Sequence, residues 1–141
     1  MLKVVLDTNI IVSATIDKKS IPNEVLRLWQ NGKIKVILSP AIIEEMWHVL
    51  FRPNLQKYIK YTDLEIKDLL LELQESAILV NPTVKIKVVK KDPSDDKFIA
   101  AATTARADYI VSGDQHLLQL GAYNEIKIVS PKEFMEIFED V

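Results

Sequence analysis

No cysteine occurs among the 141 residues, which excludes disulfides and thiolate-held zinc and fits a reducing cytoplasm. No uncharged stretch approaches the roughly 20 apolar residues that a membrane-spanning helix needs, so no membrane segment is expected. The opening residues, Met1-Leu2-Lys3-Val4-Val5-Leu6-Asp7, meet a carboxylate too early to form the core of a signal peptide. The expectation is a cytoplasmic protein. Internal repeats and low-complexity tracts are missing, and no linker rich in Gly, Ser or Pro divides the chain. A single domain over residues 1–141 follows, long enough to bury a core without covalent staples. Excess positive charge is also missing: 18 Lys and Arg face 20 Asp and Glu, a formal net charge of −2. A protein that binds nucleic acid through a broad positive surface is normally more basic, so this balance speaks against an RNA substrate, unless metal ions held at an acidic site supply the positive charge.

What is present is an ordinary globular balance, 48% hydrophobic and 27% charged, arranged in alternating elements. Lys3–Leu6 reads as a short buried strand. Ile21–Gln30 reads as a helix, with Ser20 as its cap, Pro22 in the first turn and Gly32 just past its end. Lys35–Leu38 is a second strand, and Ser39-Pro40 opens a helix to about Phe51. Asp63–Ser76 is amphipathic, with Leu64, Leu69, Leu70 and Leu73 near helical spacing. Ala77–Val80 suits a short strand, and Val84–Val89 alternates like a half-exposed extended segment. Ser94 caps a helix to about Arg106. Tyr109–Ser112 and Lys127–Val129 read as strands, and Pro131–Phe138 as a last helix. Strands alternating with helices predict an α/β fold with a mostly parallel sheet covered on both faces.

The acids fall at particular places in this pattern. Asp7 directly follows the first strand, and Asp114 follows the strand Tyr109–Ser112 after one glycine. Asp92, Asp95 and Asp96 stand where a helix opens. In an open parallel sheet the C-terminal ends of strands and the N-termini of the following helices share one edge, where such folds build their sites. Glu44 and Glu45 add acids in the second turn of the helix after Ser39; both flank its apolar stripe, and the helical wheel does not choose between them. Carboxylates gathered this way repel one another unless a cation joins them. Mg²⁺ suits oxygen ligands, uses one or two carboxylates directly, and keeps several waters. Such an ion, alone or with a second one, promotes attack of water on phosphorus. Asp95 and Asp96 are also what helix-dipole stabilisation alone would select, although Asp96 shares a face with Ile99 and Ala100. Gly113-Asp114 would also suit a plain turn.

Four segments together resemble the PIN-domain nucleases: Val4-Val5-Leu6-Asp7-Thr8-Asn9; Ser39-Pro40-Ala41-Ile42-Ile43-Glu44-Glu45-Met46; the run from Asp92 to Ala102; and Ala107-Asp108-Tyr109-Ile110-Val111-Ser112-Gly113-Asp114. Their order and spacing extend over nearly the whole chain. Within that family they are most similar to the PIN toxin components of toxin–antitoxin pairs, related to VapC-type ribonucleases. The resemblance implies a three-layer α/β/α sandwich, one or two Mg²⁺ or Mn²⁺ ions, and endoribonuclease action. It further implies a homodimer and an antitoxin that occludes the site. Carried across position by position, the family's acids fall on Asp7, Glu45, Asp96 and Asp114. Asn9 and Ser112 match polar positions beside them, and Asp92 and Asp95 are additional acids that could serve as auxiliary ligands. Ser112 stands where many relatives carry threonine, which keeps the hydroxyl.

Other features weigh less. Lys85, Lys87, Lys90 and Lys91 read as a solvated strand edge, with a basic lip for RNA phosphates as the alternative. His48 and His116 each stand alone and are set aside as ligands, and Trp29 and Trp47 match core spacing. A non-catalytic PIN-like module that docks RNA or protein is the rival reading; the retained acids oppose it, since negative charge repels phosphates. An aspartyl-nucleophile phosphatase fits poorly, because Asp7-Thr8-Asn9 lacks a second aspartate two residues on.

Overall fold

Val4 and Val5 are neighbours on one strand, point to opposite faces, and are both fully buried. Ile110 and Val111 repeat the pattern. A sheet whose central strands are buried on both sides needs a helical layer on each face. The computed structural model, which describes residues 1–83 and 95–139, has this three-layer α/β/α arrangement. Its described strands are β1 (Leu2–Leu6), β2 (Ile34–Leu38), β3 (Ile78–Leu79), β4 (Tyr109–Val111), β5 (Ala122–Tyr123) and β6 (Ile126–Val129). They form one sheet in the order β3-β2-β1-β4-β6-β5, parallel except where β5 runs antiparallel to β6. The helices are α1 (Thr8–Ile16), α2 (Ile21–Gln30), α3 (Pro40–Leu50), α4 (Pro53–Gln56), α5 (Asp63–Ser76), α6 (Asp96–Ala105), α7 (Gln115–Leu120) and α8 (Pro131–Glu139). None is long and apolar enough to cross a membrane.

Helix starts are set where the side chains predict. Ser20 accepts from the Asn23 N–H, and Ser39 caps α3 ahead of Pro40. Thr62 and Glu65 form a reciprocal capping box on α5. Trp29 and Trp47 act in packing, as expected: their indole N–H groups donate to Ser76 Oγ (2.7 Å) and Gln74 Oε1 (2.8 Å), tying α2 and α3 to α5.

Two expectations change, and one helix forms where none was expected. The apolar stripe of α5 runs through Ile66, Leu69, Leu70 and Leu73, whereas Leu64 is 68% exposed. A spacing of i, i+3, i+4, i+7 from Ile66 makes one face, and Leu64 lies two residues off it. Residues 8–16, which no periodicity marks, form α1, buried on nearly all sides. The strand expected to end at Ser112 ends at Val111, which frees Ser112 for the site. The segment Val84–Val89, the lysines at 85, 87, 90 and 91, the cap at Ser94 and the acid Asp92 lie outside the described residues.

The order of the sheet positions the site. From β1 the chain moves to β2 on one side, while from β4 it moves to β6 on the other. The C-terminal ends of β1 and β4 therefore flank the topological switch point, where the connections diverge and leave a crevice. Leu6 is in register with Val111, so Asp7 and Ser112 leave the sheet side by side.

Candidate functional site

Asp7 is the first residue past β1 and the N-cap of α1, where its side chain accepts from the Asn9 backbone N–H at 3.2 Å. Its own N–H donates to the Val111 carbonyl (2.9 Å), which locks the backbone to β4. It is 3% exposed. Ser112, fully buried, donates its hydroxyl to Asp7 Oδ2 at 2.6 Å and accepts from the Asp114 N–H at 2.9 Å. One hydroxyl thus holds the carboxylate at the end of β1 and the backbone of the acid beyond β4. Asp114 caps α7, and its Oδ1 accepts from the N–H groups of His116 (2.8 Å) and Leu117 (3.2 Å). The His116 Nδ1 is 3.8 Å from Oδ1, too long for a hydrogen bond.

Glu45 and Glu44, which the helical wheel leaves equivalent, are separated by the fold. Glu44 is exposed, whereas Glu45 is partly buried, lies close enough to Asp7 to raise its proton affinity, and pairs with Lys97 from the first turn of α6. Asp96 opens α6 and is partly exposed; Asp95, just ahead of it, is the more buried of the two at 7% exposed. Asn9 reaches Asp7 through its backbone, and its side chain is exposed. His48 is exposed on α3, away from the apolar stripe. Sequence reasoning missed two residues here. Lys97 gave no signal, because its partner lies on another helix. Thr8, beside Asp7, buries a hydroxyl that finds no hydrogen-bond partner among the described residues; a polar residue directly after a buried strand was the available cue.

Burial is the main force that pushes the Asp7 carboxyl above the ordinary aspartate range; the negative charges of Asp114 and Glu45 add to it, while the bonds from Ser112 and Asn9 oppose it. A carboxyl with raised folded-state pKa favours the fold most when protonated, and that contribution is lost as pH rises from the unfolded value through the raised one. Glu65 in the capping box is lowered by its hydrogen bonds from Thr62, so its contribution is lost in the opposite direction, as pH falls. The two are separated by comparison with Asp7→Asn: in metal-free protein, the melting temperature of wild type should fall relative to that variant as pH rises through this window. A constant difference from pH 3 to pH 7 would show that Asp7 is not strained by its charge.

Among the described residues, no three Asp, Glu or His side chains stand close enough to close round one ion. Glu45 is turned to Lys97, and one Asp114 oxygen is committed to the start of α7. The donor chemistry still fits a hard divalent ion, since Mg²⁺ needs one or two direct carboxylates and fills its remaining positions with water. Asp7 carries the charge deficit such an ion would relieve, being buried and repelled by two other acids. A cavity of about 880 Å³ opens elsewhere, lined by Leu2, Arg106, Asp108, Tyr109, Asn124 and Lys127, and none of these acids borders it.

The PIN domain family matches residues 3–116 of the chain. Uncharacterized protein MJ1680 of Methanocaldococcus jannaschii is 34% identical over 146 residues, spanning 98% of this chain and 92% of the relative. Among solved structures, PAE2754 from Pyrobaculum aerophilum superposes with a TM-score of 0.61 at 11% identity, covering 99% of this chain and 91% of that one. VapBC2 from Rickettsia felis, solved bound to a DNA fragment from its promoter, gives 0.54 at 14% identity, covering 92% and 98%. At such identities these two structures speak to the fold alone.

Proposed function

Because the chain belongs to the PIN domain family, we propose that it is a divalent-metal-dependent endoribonuclease that hydrolyses RNA phosphodiester bonds. The observation that carries this reading is the buried Asp7 carboxylate, coupled through Ser112 to Asp114 at the switch point of the sheet and repelled by Glu45. Asp7, Glu45, Asp96 and Asp114 are the residues that would hold Mg²⁺ or Mn²⁺, one ion or two, with Asp92 and Asp95 as auxiliary acids. When bound, such an ion neutralises phosphate charge and acidifies water.

The chain's own residues do the positioning. Ser112 fixes the direction in which Asp7 presents its oxygens, and the N-termini of α1 and α7 hold Asp7 and Asp114 by backbone donors. A rigid backbone hold of this kind keeps both acids in place before substrate arrives. The net reaction adds water across a P–O bond and releases the ester oxygen, with no covalent intermediate on the protein.

The biological setting proposed is that of the toxin in a toxin–antitoxin pair, a cytoplasmic homodimer of single PIN domains whose partner protein covers the acids. The likeness in fold to VapBC2 supports it. A second reading, a non-catalytic PIN-like module that docks RNA or protein, draws on the absence of a closed three-acid group among the described residues. One experiment separates them. Purified chain stripped of metal should leave single-stranded RNA intact, cut it when Mn²⁺ is added, and stop when a chelator is added. RNA binding without cleavage at any Mn²⁺ concentration would favour the docking module.

A further inference from the structure

Helix α1 starts at the acid site and exposes two residues, Asn9 and Ser13, one turn apart and both uncharged. The ridge they form leads from Asp7 to the far end of the helix, about 14 Å away. There the Lys60 N–H donates to the Thr15 carbonyl (2.8 Å), which brings the segment after α4 against the loop after α1. The Lys18 ammonium stands 4.7 Å from the centre of the Tyr61 ring, and that of Lys57 stands 5.1 Å from the Tyr58 ring. Lys18, Lys19, Lys57 and Lys60 are exposed, and Tyr58 is 52% exposed. Among the described residues the ion pairs are those of Lys97 and His116, so none of these four lysines is paired with an acid. From Met46 to Thr62 the chain has no Asp or Glu. Of the acids beside the cluster, Asp17 accepts from the Lys19 N–H (2.9 Å), while Asp63 and Glu65 complement the dipole at the start of α5. A chain whose net charge is −2 thus gathers unpaired positive charge and aromatic surface in one place. Lysines set among rings grip single-stranded nucleic acid, the ammonium groups taking phosphates and the rings taking bases.

We propose that the single-stranded RNA cut at the acid site runs along the Asn9–Ser13 ridge and is held at its far end by Lys18, Lys19, Lys57 and Lys60, with a base stacked on Tyr58. The length of α1 matches about four stacked nucleotides at about 3.4 Å each. The inference rests on the reading of the chain as a ribonuclease. It separates grip from cleavage: the acids tolerate a phosphate only with metal, whereas the lysines hold the strand with or without it.

Fluorescence anisotropy of the full chain with a labelled single-stranded RNA octamer, in chelator so that nothing is cut, measures the grip. Lys18→Gln combined with Lys60→Gln should weaken octamer binding about tenfold and flatten the salt dependence of log Kd by about 1.4, the share of two phosphate contacts on a single strand. Tyr58→Ala should also cost about tenfold, and Tyr58→Phe, which keeps the ring, should bind like wild type. With Mn²⁺, the lysine variant should raise KM for the octamer by a similar factor and leave kcat unchanged. Cleavage of a dinucleotide, too short to reach the cluster, should not change. Lys18→Arg combined with Lys60→Arg should restore octamer binding, which separates lost charge from a folding defect. Unchanged octamer affinity in the lysine variant would overturn the proposal, as would equal losses for dinucleotide and octamer. Tyr58→Ala without effect on RNA, together with polyglutamate bound as tightly as RNA of equal charge, would mark a surface for an acidic polypeptide instead. If wild type cuts RNA with Mn²⁺ but ignores these lysines, this inference fails alone; if it grips the octamer through them yet cuts nothing, the nuclease reading fails instead.

Discussion

Asp7→Asn is expected to lower Mn²⁺-dependent RNA cleavage by at least about a hundredfold while raising the melting temperature of the metal-free protein. The two signs have one cause. Asp7 is buried at the end of β1 and repelled by Asp114 and Glu45, so its charge costs stability that only a cation returns. Asparagine keeps the volume and removes the charge. It also keeps the start of α1, because asparagine caps a helix about as well as aspartate and can still accept from the Asn9 N–H. Ser112 has to adjust: its oxygen can accept from the new amide as well as from the Asp114 N–H. The gain should be confined to pH values above the ordinary aspartate range, where the wild-type side chain ionises and the variant does not. In wild type, Mn²⁺ should raise the melting temperature; in the variant it should do so weakly. Cleavage assays beside melts with and without Mn²⁺ measure both. Full activity in Asp7→Asn would reject Asp7 as a ligand, and lost activity with a lowered melting point would mean simply that the variant unfolds.

Much of this arrangement could be read from residue order, and the exceptions have physical reasons. The strands that flank the site announce themselves as short apolar runs that end abruptly at Asp7 and before Asp114, and the cap residues of α2 and α3 mark where those helices begin. Helix α1 was not legible. Its sequence Thr8–Ile16 is rich in β-branched residues and apolar on nearly every side, so it has no amphipathic period and weak helix propensity. It is helical because the neighbouring α2 and α3 pack against it, which is a tertiary effect. Helix α7 is short at Gln115–Leu120, and its capping by Asp114 looks the same in sequence as a turn. Within the site, periodicity located the acids along the chain but could not orient them. Glu44 and Glu45 are equivalent on a helical wheel, and only contact with α6 distinguishes them, through Lys97. The buried position of Asp95 beside the partly exposed Asp96 is likewise a matter of how α6 meets the sheet, which composition does not encode.

Ser112→Ala is expected to reduce cleavage by about ten- to a hundredfold, the range seen when a group that orients a metal ligand is removed. The hydroxyl has two partners, and both lose something. Asp7 Oδ2 loses the 2.6 Å bond that opposes its burial, so its proton affinity should climb further. The Asp114 N–H loses its acceptor, which loosens the turn leading into α7. A pure packing defect would lower stability without moving the pH dependence of the reaction. Loss of the bond to Asp7 should instead shift the acid limb of the pH–rate profile to higher pH, because more alkaline conditions are then needed to ionise the carboxyl. Ser112→Thr keeps the hydroxyl and should restore most of the rate and the position of the acid limb, with a modest loss of stability from placing a methyl in a fully buried site. If Ser112→Ala shifts neither rate nor profile, the hydroxyl does not govern Asp7, and the link between the two strand ends is structural only.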